Sequence, residues 1–282
     1  MQALAPAEPT RKRMERAVGL SLLLPGAGHL QAGRFGWALF WAILCQGLLF
    51  GGLSLAGNSQ FDYGKLIHLG GRPILMLLIP EMGNFLGVQF AAVLAKMHSV
   101  EAGGHLPEHL PWRNLGYLMS GASGVLSAFA AAHASSLCLV RDEPLAQRRV
   151  SPGGAALATL LLPGLGHWLS GRRFKTWLFG GTIVGLFALG MTLGDFADFD
   201  RQRHPYYWAG QMLLGPVGWI TAFLCEPQRF PSVLPYQDAG LLFTTAAGFF
   251  TVIAALDSYH RAEDDWLAAA RGVPGRAAAG AA

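Results

Sequence analysis

The fold predicted here is an all-α polytopic membrane protein with two pseudo-symmetric halves of three or four helices each. Three observations predict it. The chain of 282 residues is 52% hydrophobic and only 13% charged, against about 25% charged residues in a soluble domain. It carries uncharged runs of roughly 20 residues, the length of a membrane-crossing helix. And the stretch Leu22-Leu23-Leu24-Pro25-Gly26-Ala27-Gly28-His29 returns as Leu160-Leu161-Leu162-Pro163-Gly164-Leu165-Gly166-His167, which predicts a repeated unit.

The remaining totals narrow the function classes. A net charge of +4, with a pI near 9.1, reads as a basic membrane face, because the basic residues sit mainly between apolar runs. No basic stripe interleaved with aromatics is present, so nucleic acid is not an expected partner. Cys45, Cys138 and Cys225 lie within or at the ends of apolar runs without CxxC spacing, which reads as small buried hydrophobes rather than a disulfide framework. Arg11-Lys12-Arg13 and Arg16 before a short apolar run imitate a signal peptide. The recurrence of that run in mid-chain argues that it stays as structure.

In order, residues 1–16 form a basic lead-in, 17–140 the first membrane repeat, 141–152 a charged linker, 153–260 the second repeat and 261–282 a flexible tail. The first apolar segment, about Ala17–Gly33, is short and interrupted by Pro25-Gly26, where a helix break is expected. Phe35–Gly57 is uncharged and long enough to span. Pro73–Ala95 is also long enough but holds Pro80-Glu81 and Asn84 near its middle. Leu115–Val140 is rich in Gly, Ala and Ser, which suits close helix packing through Gly121 and Gly124. The series then restarts with Gly153–Gly171, Trp177–Gly194, Tyr206–Cys225 and Ala239–Leu256, the last with Gly248 at the position of Gly124. Leu78-x-Pro80 finds a counterpart in Leu214-x-Pro216, which sets Val217 or Gly218 opposite Glu81. Four spans per half would make the repeats parallel and three would make them inverted. The Lys/Arg distribution favours eight spans and parallel halves with both termini cytoplasmic, although Arg172, Arg173 and Lys175 then lie on the wrong side.

Candidate functional residues come from the breaks and from the ionisable groups inside apolar segments. His29 and His167 have two readings: donors to carbonyls freed by the Pro25-Gly26 and Pro163-Gly164 breaks, or members of a pseudo-symmetric ion or substrate site. Glu81 is the sharper candidate, since an intramembrane carboxylate left unpaired costs at least about 2.5–3.5 kcal/mol. Its partner is expected to be His29, Arg72, a backbone amide or another subunit. Asn84, one turn on, shares its face. His133 and Asp257 align at the ends of the fourth and eighth segments, with Asp257 expected at the interface. His105-Leu-Pro-Glu108-His109 matches the H-x-x-E-H spacing of inverted zinc peptidases, but Pro107 opposes the helix that this chemistry needs. No nucleotide, dinucleotide, haem or nucleophile-elbow motif is present; no cofactor and no metal are expected.

The motif Pro-Gly-x-Gly-His-x3-Gly-Arg followed by an aromatic-rich apolar helix resembles the two-transmembrane-helix domain family and related bacterial multi-pass proteins. The match covers residues 17–57 and 155–194. Leu30-Gln31 and Trp168-Leu169 stand where that family commonly has an aromatic-Tyr pair. The resemblance implies a bacterial inner-membrane location and a helical hairpin, and supplies no activity. From sequence, the expected function is a non-enzymatic membrane subunit or assembly factor with other membrane subunits as partners. The alternative is a small transporter or channel using Glu81, Asn84, His29 and His167.

Overall fold

The computed structural model describes residues 5–57, 79–101, 110–145, 149–201, 203–225 and 234–272. All regular secondary structure among them is helical, as the sequence predicts. The first half opens with α1 (Glu8–Leu23), which begins with Pro9 in its first turn, where a missing N–H removes no helical bond. At Leu24 the backbone becomes extended, and Gly26 adopts φ 94° before the short α2 (Ala27–Gln31). Helix α2 folds back on α1: the Gly28 N–H donates to Ser21 Oγ at 3.2 Å, and a Cβ on Gly28 would collide with the Ala17 carbonyl. The chain turns again at Gly33 and runs as α3 (Phe35–Leu55), passing Gly26 a second time at Ala38–Ala42. A 3₁₀ turn, Pro80–Asn84, leads into α4 (Phe85–Glu101), and α5 (Arg113–Asp142) completes the half.

The second half repeats these devices. Ser151 caps α6 (Pro152–Leu161) by accepting the Gly154 N–H, which satisfies one of the orphan donors at a helix start. Gly164 (φ 85°) leads into α7 (Leu165–Leu169), and Gly166 packs against the Ala155 carbonyl as Gly28 does against Ala17. Then come α8 (Arg173–Leu193), α9 (Pro205–Met212), α10 (Pro216–Leu224) and α11 (Gln237–Ala270). Close backbone approach also recurs. Gly52 of α3 meets Gly116 of α5, and Gly190 of α8 meets Gly240 of α11.

Among the described residues four helices, α3, α5, α8 and α11, are long and apolar enough to cross a membrane, with mean hydropathies of 1.8, 1.5, 1.6 and 1.9. A 21-residue helix such as α3 rises about 31 Å, the thickness of the hydrocarbon core. The eight-span expectation changes at the two motif segments. The motif segments are hairpins whose arms, 16 and 10 residues in α1 and α6, turn back at Pro-Gly. Both motif hairpins start and finish at one end of the bundle. That end also gathers the basic residues: Arg13 pairs with Asp142 at 2.7 Å, Arg172 with Asp265 at 2.9 Å, and Arg271 reaches the Ala5 carbonyl. Arg172, Arg173 and Lys175, anomalous in an eight-span chain, fall on the basic side once the motif folds back. The halves run parallel. Helix α5 lies at the centre, 61% buried across its apolar window, while α8 is only 17% buried.

Candidate functional site at the junction of the halves

At the basic end each motif delivers its histidine to the last helix of its own half. In the first half His29 Nε2 lies 3.0 Å from His133 Nδ1, and Trp41 Nε1 donates to the same nitrogen at 3.1 Å. Indole N–H only donates, so His133 Nδ1 is an acceptor. The Trp37 ring stands edge-on to His133, 4.9 Å between centroids. In the second half His167 Nε2 donates to Asp257 Oδ2 at 2.9 Å, Lys175 also donates to Asp257, and Phe179 stacks on His167 at 5.0 Å. Trp37 and Trp41 thus occupy the places of Lys175 and Phe179. One half holds a pair of histidines among aromatic rings and the other an ionic cluster built on Asp257.

One expectation changes here. The histidines do not cap the freed carbonyls, because the turns close themselves: Ala27 N–H bonds Leu24 O, and His29 N–H bonds Gly26 O. Asp257, which the sequence sets at the interface, is the centre of a cluster that Arg261 also joins at 3.4 Å.

Toward the opposite end, Pro80–Asn84 presses into α5. A Cβ on Gly124 would overlap the Pro80 carbonyl and the Glu81 backbone. This brings Glu81, buried at 4% exposure, to Ser120, whose hydroxyl donates to Glu81 Oε1 at 2.9 Å. Arg201, from the loop after α8, places Nη2 3.3 Å from the same oxygen. Its guanidinium lies over the Tyr117 and Trp208 rings at 4.5 and 4.8 Å, a planar arrangement that suits Arg. The ion pair joins the halves. Its cation was not among the partners read from the sequence, since Arg201 stands in a polar turn with nothing local to point inward.

The structure also changes the alignment of the second half. Gly248 packs on the Gly210 carbonyl as Gly124 does on Pro80, so Gln211, not Val217 or Gly218, is the counterpart of Glu81. Gln211 Nε2 donates to Thr244 Oγ1 at 2.8 Å, where Thr244 stands in the place of Ser120, and to the Asp198 carbonyl at 3.2 Å. Gly121 receives Trp208 and Met212. All three packing glycines are therefore filled from within the chain.

Asn84 lies on the Glu81 face of the 3₁₀ turn, since side chains three apart eclipse there. Its Oδ1 accepts from Gln46 Nε2 at 2.9 Å. From Glu81 a line of buried polar side chains follows the α3–α5 seam: Ser120, Ser123 and Ser127, the Cys45 thiol beside Ser127, then Trp41, His133 and His29. Near Arg201, the Asp198 carboxyl is enclosed by Gly194 and Gly240 with no hydrogen-bond partner on either oxygen. Burial, with the Asp195 carboxylate nearby, pushes its pKa up to about 7. No group of three or more His, Cys, Asp or Glu that would hold a metal ion occurs among the described residues. His105, Glu108 and His109 lie outside them.

Residues 154–266 match a family of unknown function (DUF6677). The matched span begins within α6 and ends within α11, so it coincides with the second half. No curated protein and no solved structure matches the chain.

Proposed function

We propose that the protein is a non-enzymatic bacterial inner-membrane transporter of small size, with a proton as the species moved and Glu81 at the junction of the halves as its central group. The observation that supports this reading is the buried polar line from Arg201–Glu81 through Ser120, Ser123 and Ser127 to His133 and His29. Ionisable groups held inside a membrane protein cost free energy and mark ion paths. The serines are fully buried, leaving no room for a hydrated ion; the Ser123 and Ser127 hydroxyls rest on the Ser120 and Ser123 carbonyls, and a hydroxyl that turns from its carbonyl to the next side chain can both accept and donate a proton. Glu81 has one oxygen engaged by Ser120 and Arg201 and the other without a partner, which gives an incoming proton a site. The second half interrupts the line, with Gln211 for Glu81 and Ala247 for Ser123. The basic end, bearing Arg13, Arg172 and Lys175, faces the cytoplasm by the positive-inside rule.

Purified protein in vesicles loaded with a pH-sensitive dye tests this under an imposed potassium diffusion potential. The intact chain should acidify the vesicles faster than protein-free ones. Glu81→Gln should slow this by about tenfold, equal to about 1.4 kcal/mol on the limiting barrier, while thermal unfolding shows it still folded. A rate equal to empty vesicles, or an undiminished Glu81→Gln rate, sinks the reading.

A membrane-subunit role is the second reading, and one observation favours it. Gly181 and Gly185 on the little-buried α8 face open space, a small-x3-small spacing that lets another helix approach closely. Absence of flux together with a fixed-ratio complex after mild extraction would establish that role instead.

A further inference from the structure

A cavity of about 1010 Å³ lies between the halves, one to two turns deeper along α5 than the Glu81–Arg201 pair. Its walls are Leu22 and Leu23 at the tip of α1, Pro80, Met82 and Gly83 at the 3₁₀ turn, Gly124 and Ala128 of α5, Tyr206, Tyr207, Ala209 and Gly210 of α9, and Phe249 of α11. In the second half Gly215 packs directly on Leu160. The size is that of a small-molecule site.

Three features identify the occupant. First, the mouth opens at mid-membrane depth. Val125 and Ala128 are near the middle of the 30-residue α5, and Leu22, Leu23, Phe85 and Phe249 around it are exposed. Second, among the described residues no charged side chain lines it. The Thr245 hydroxyl is already spent on the Tyr207 carbonyl at 3.0 Å, so away from the tyrosine end a polar solute finds nothing to bind and water gains too few partners to stay. Third, the lining is polarised. Tyr206 and Tyr207, which follow the Asp200–His204 turn, place phenol-bearing residues at the end nearer the membrane surface, and the rest is apolar. We infer that this cavity binds one acyl chain of a bilayer phospholipid, entering sideways between α1 and α11 with its head at the Tyr206 end.

This inference is independent of proton movement. It is tested in vesicles of phosphatidylcholine and phosphatidylglycerol doped with phosphatidylcholine carrying a photoreactive diazirine at mid-chain. Adducts mapped by mass spectrometry should fall on Met82, Phe85, Ala128 and Tyr207 about tenfold over Ile43 and Val184, exposed near the middles of α3 and α8, a preference of about 1.4 kcal/mol. Gly19 also lines the cavity, and a Cβ there meets nothing. Gly19→Phe and Ala128→Phe therefore fill the space from two different helices without a backbone clash at Gly19. Each should abolish the enrichment while the unfolding temperature holds. Even labelling of all lipid-facing helices, or enrichment that survives both substitutions, overturns the inference. So does displacement of the phospholipid label by free palmitate added at equal concentration, which would make the occupant a fatty acid.

Discussion

Asp198 shows how far one residue's setting shifts its chemistry. Its carboxyl is enclosed at a turn where Asp195 and Phe196 adopt φ values of 50° and 59°, a conformation that costs of order 1–3 kcal/mol per non-glycine residue. Its pKa in the folded protein is near 7, above the ordinary value of about 3.9 in the unfolded chain. The folded state therefore holds a proton that the unfolded state has already lost. Stability is greatest below about pH 4 as far as this group is concerned. It falls as pH rises toward 7, by up to about 1.4 kcal/mol per pH unit, and is level above that. Unfolding temperature in detergent should decline between pH 5 and 7.5. Asp198→Asn should remove most of that slope and leave the protein more stable at pH 8. An unchanged slope in Asp198→Asn would place the titrating group elsewhere. Glu81 differs in having a buried partner, Arg201 at 3.3 Å, and loss of one partner from such a pair costs about 3–5 kcal/mol.

At the scale of elements, the Pro-Gly-x-Gly-His hairpin is held by backbone contact. Gly28 and Gly166 lie against the carbonyls of Ala17 and Ala155, with the Ser21 and Thr159 hydroxyls beside them. Helix α2 is five residues long, too short to persist without that packing. Gly28→Ala and Gly166→Ala should each destabilise by about 1–3 kcal/mol through overpacking. Gly181→Ala, on an open face of α8, should be neutral or stabilise by up to about 1 kcal/mol through helix propensity. Chemical or thermal unfolding of the three variants in one detergent is the measurement. Equal effects at Gly28 and Gly181 would mean that the hairpin contact contributes nothing.

For the whole molecule, the halves are tied at both ends by different chemistry. Trp266 Nε1 donates to the Glu143 carbonyl at 2.8 Å and Tyr259 to Ser135 at 3.2 Å near the basic end, while Arg201 meets Glu81 at the other. The topology this implies is testable. In a chain with Cys45, Cys138 and Cys225 replaced, single cysteines at Gly33 and Gly171 should react with an impermeant maleimide from the side that reaches the tail near Gly272. A cysteine at Gly57 should react from the opposite side. Labelling of Gly33 from the Gly57 side would restore the eight-span arrangement.

The sequence by itself determined the solvent, the helical class and the places where the backbone breaks. These follow from local quantities: apolar run length, charge deficit, and the missing donor and left-handed freedom of Pro25-Gly26 and Pro163-Gly164. It also singled out Glu81, because a carboxylate in an apolar run needs no partner in view to be conspicuous. Gly124 and Gly248 were legible for the same reason, as small residues spaced along an apolar helix. Only the tertiary structure decided whether the motif crosses or folds back, since both readings put the same residues in the same apolar surroundings and differ only in what Gly28 touches. It decided, too, that Glu81 meets Arg201 and corresponds to Gln211. Connecting loops of unequal length shift the two halves' numbering between segments, and a polar turn does not reveal which of its charges the docking of another helix will bury.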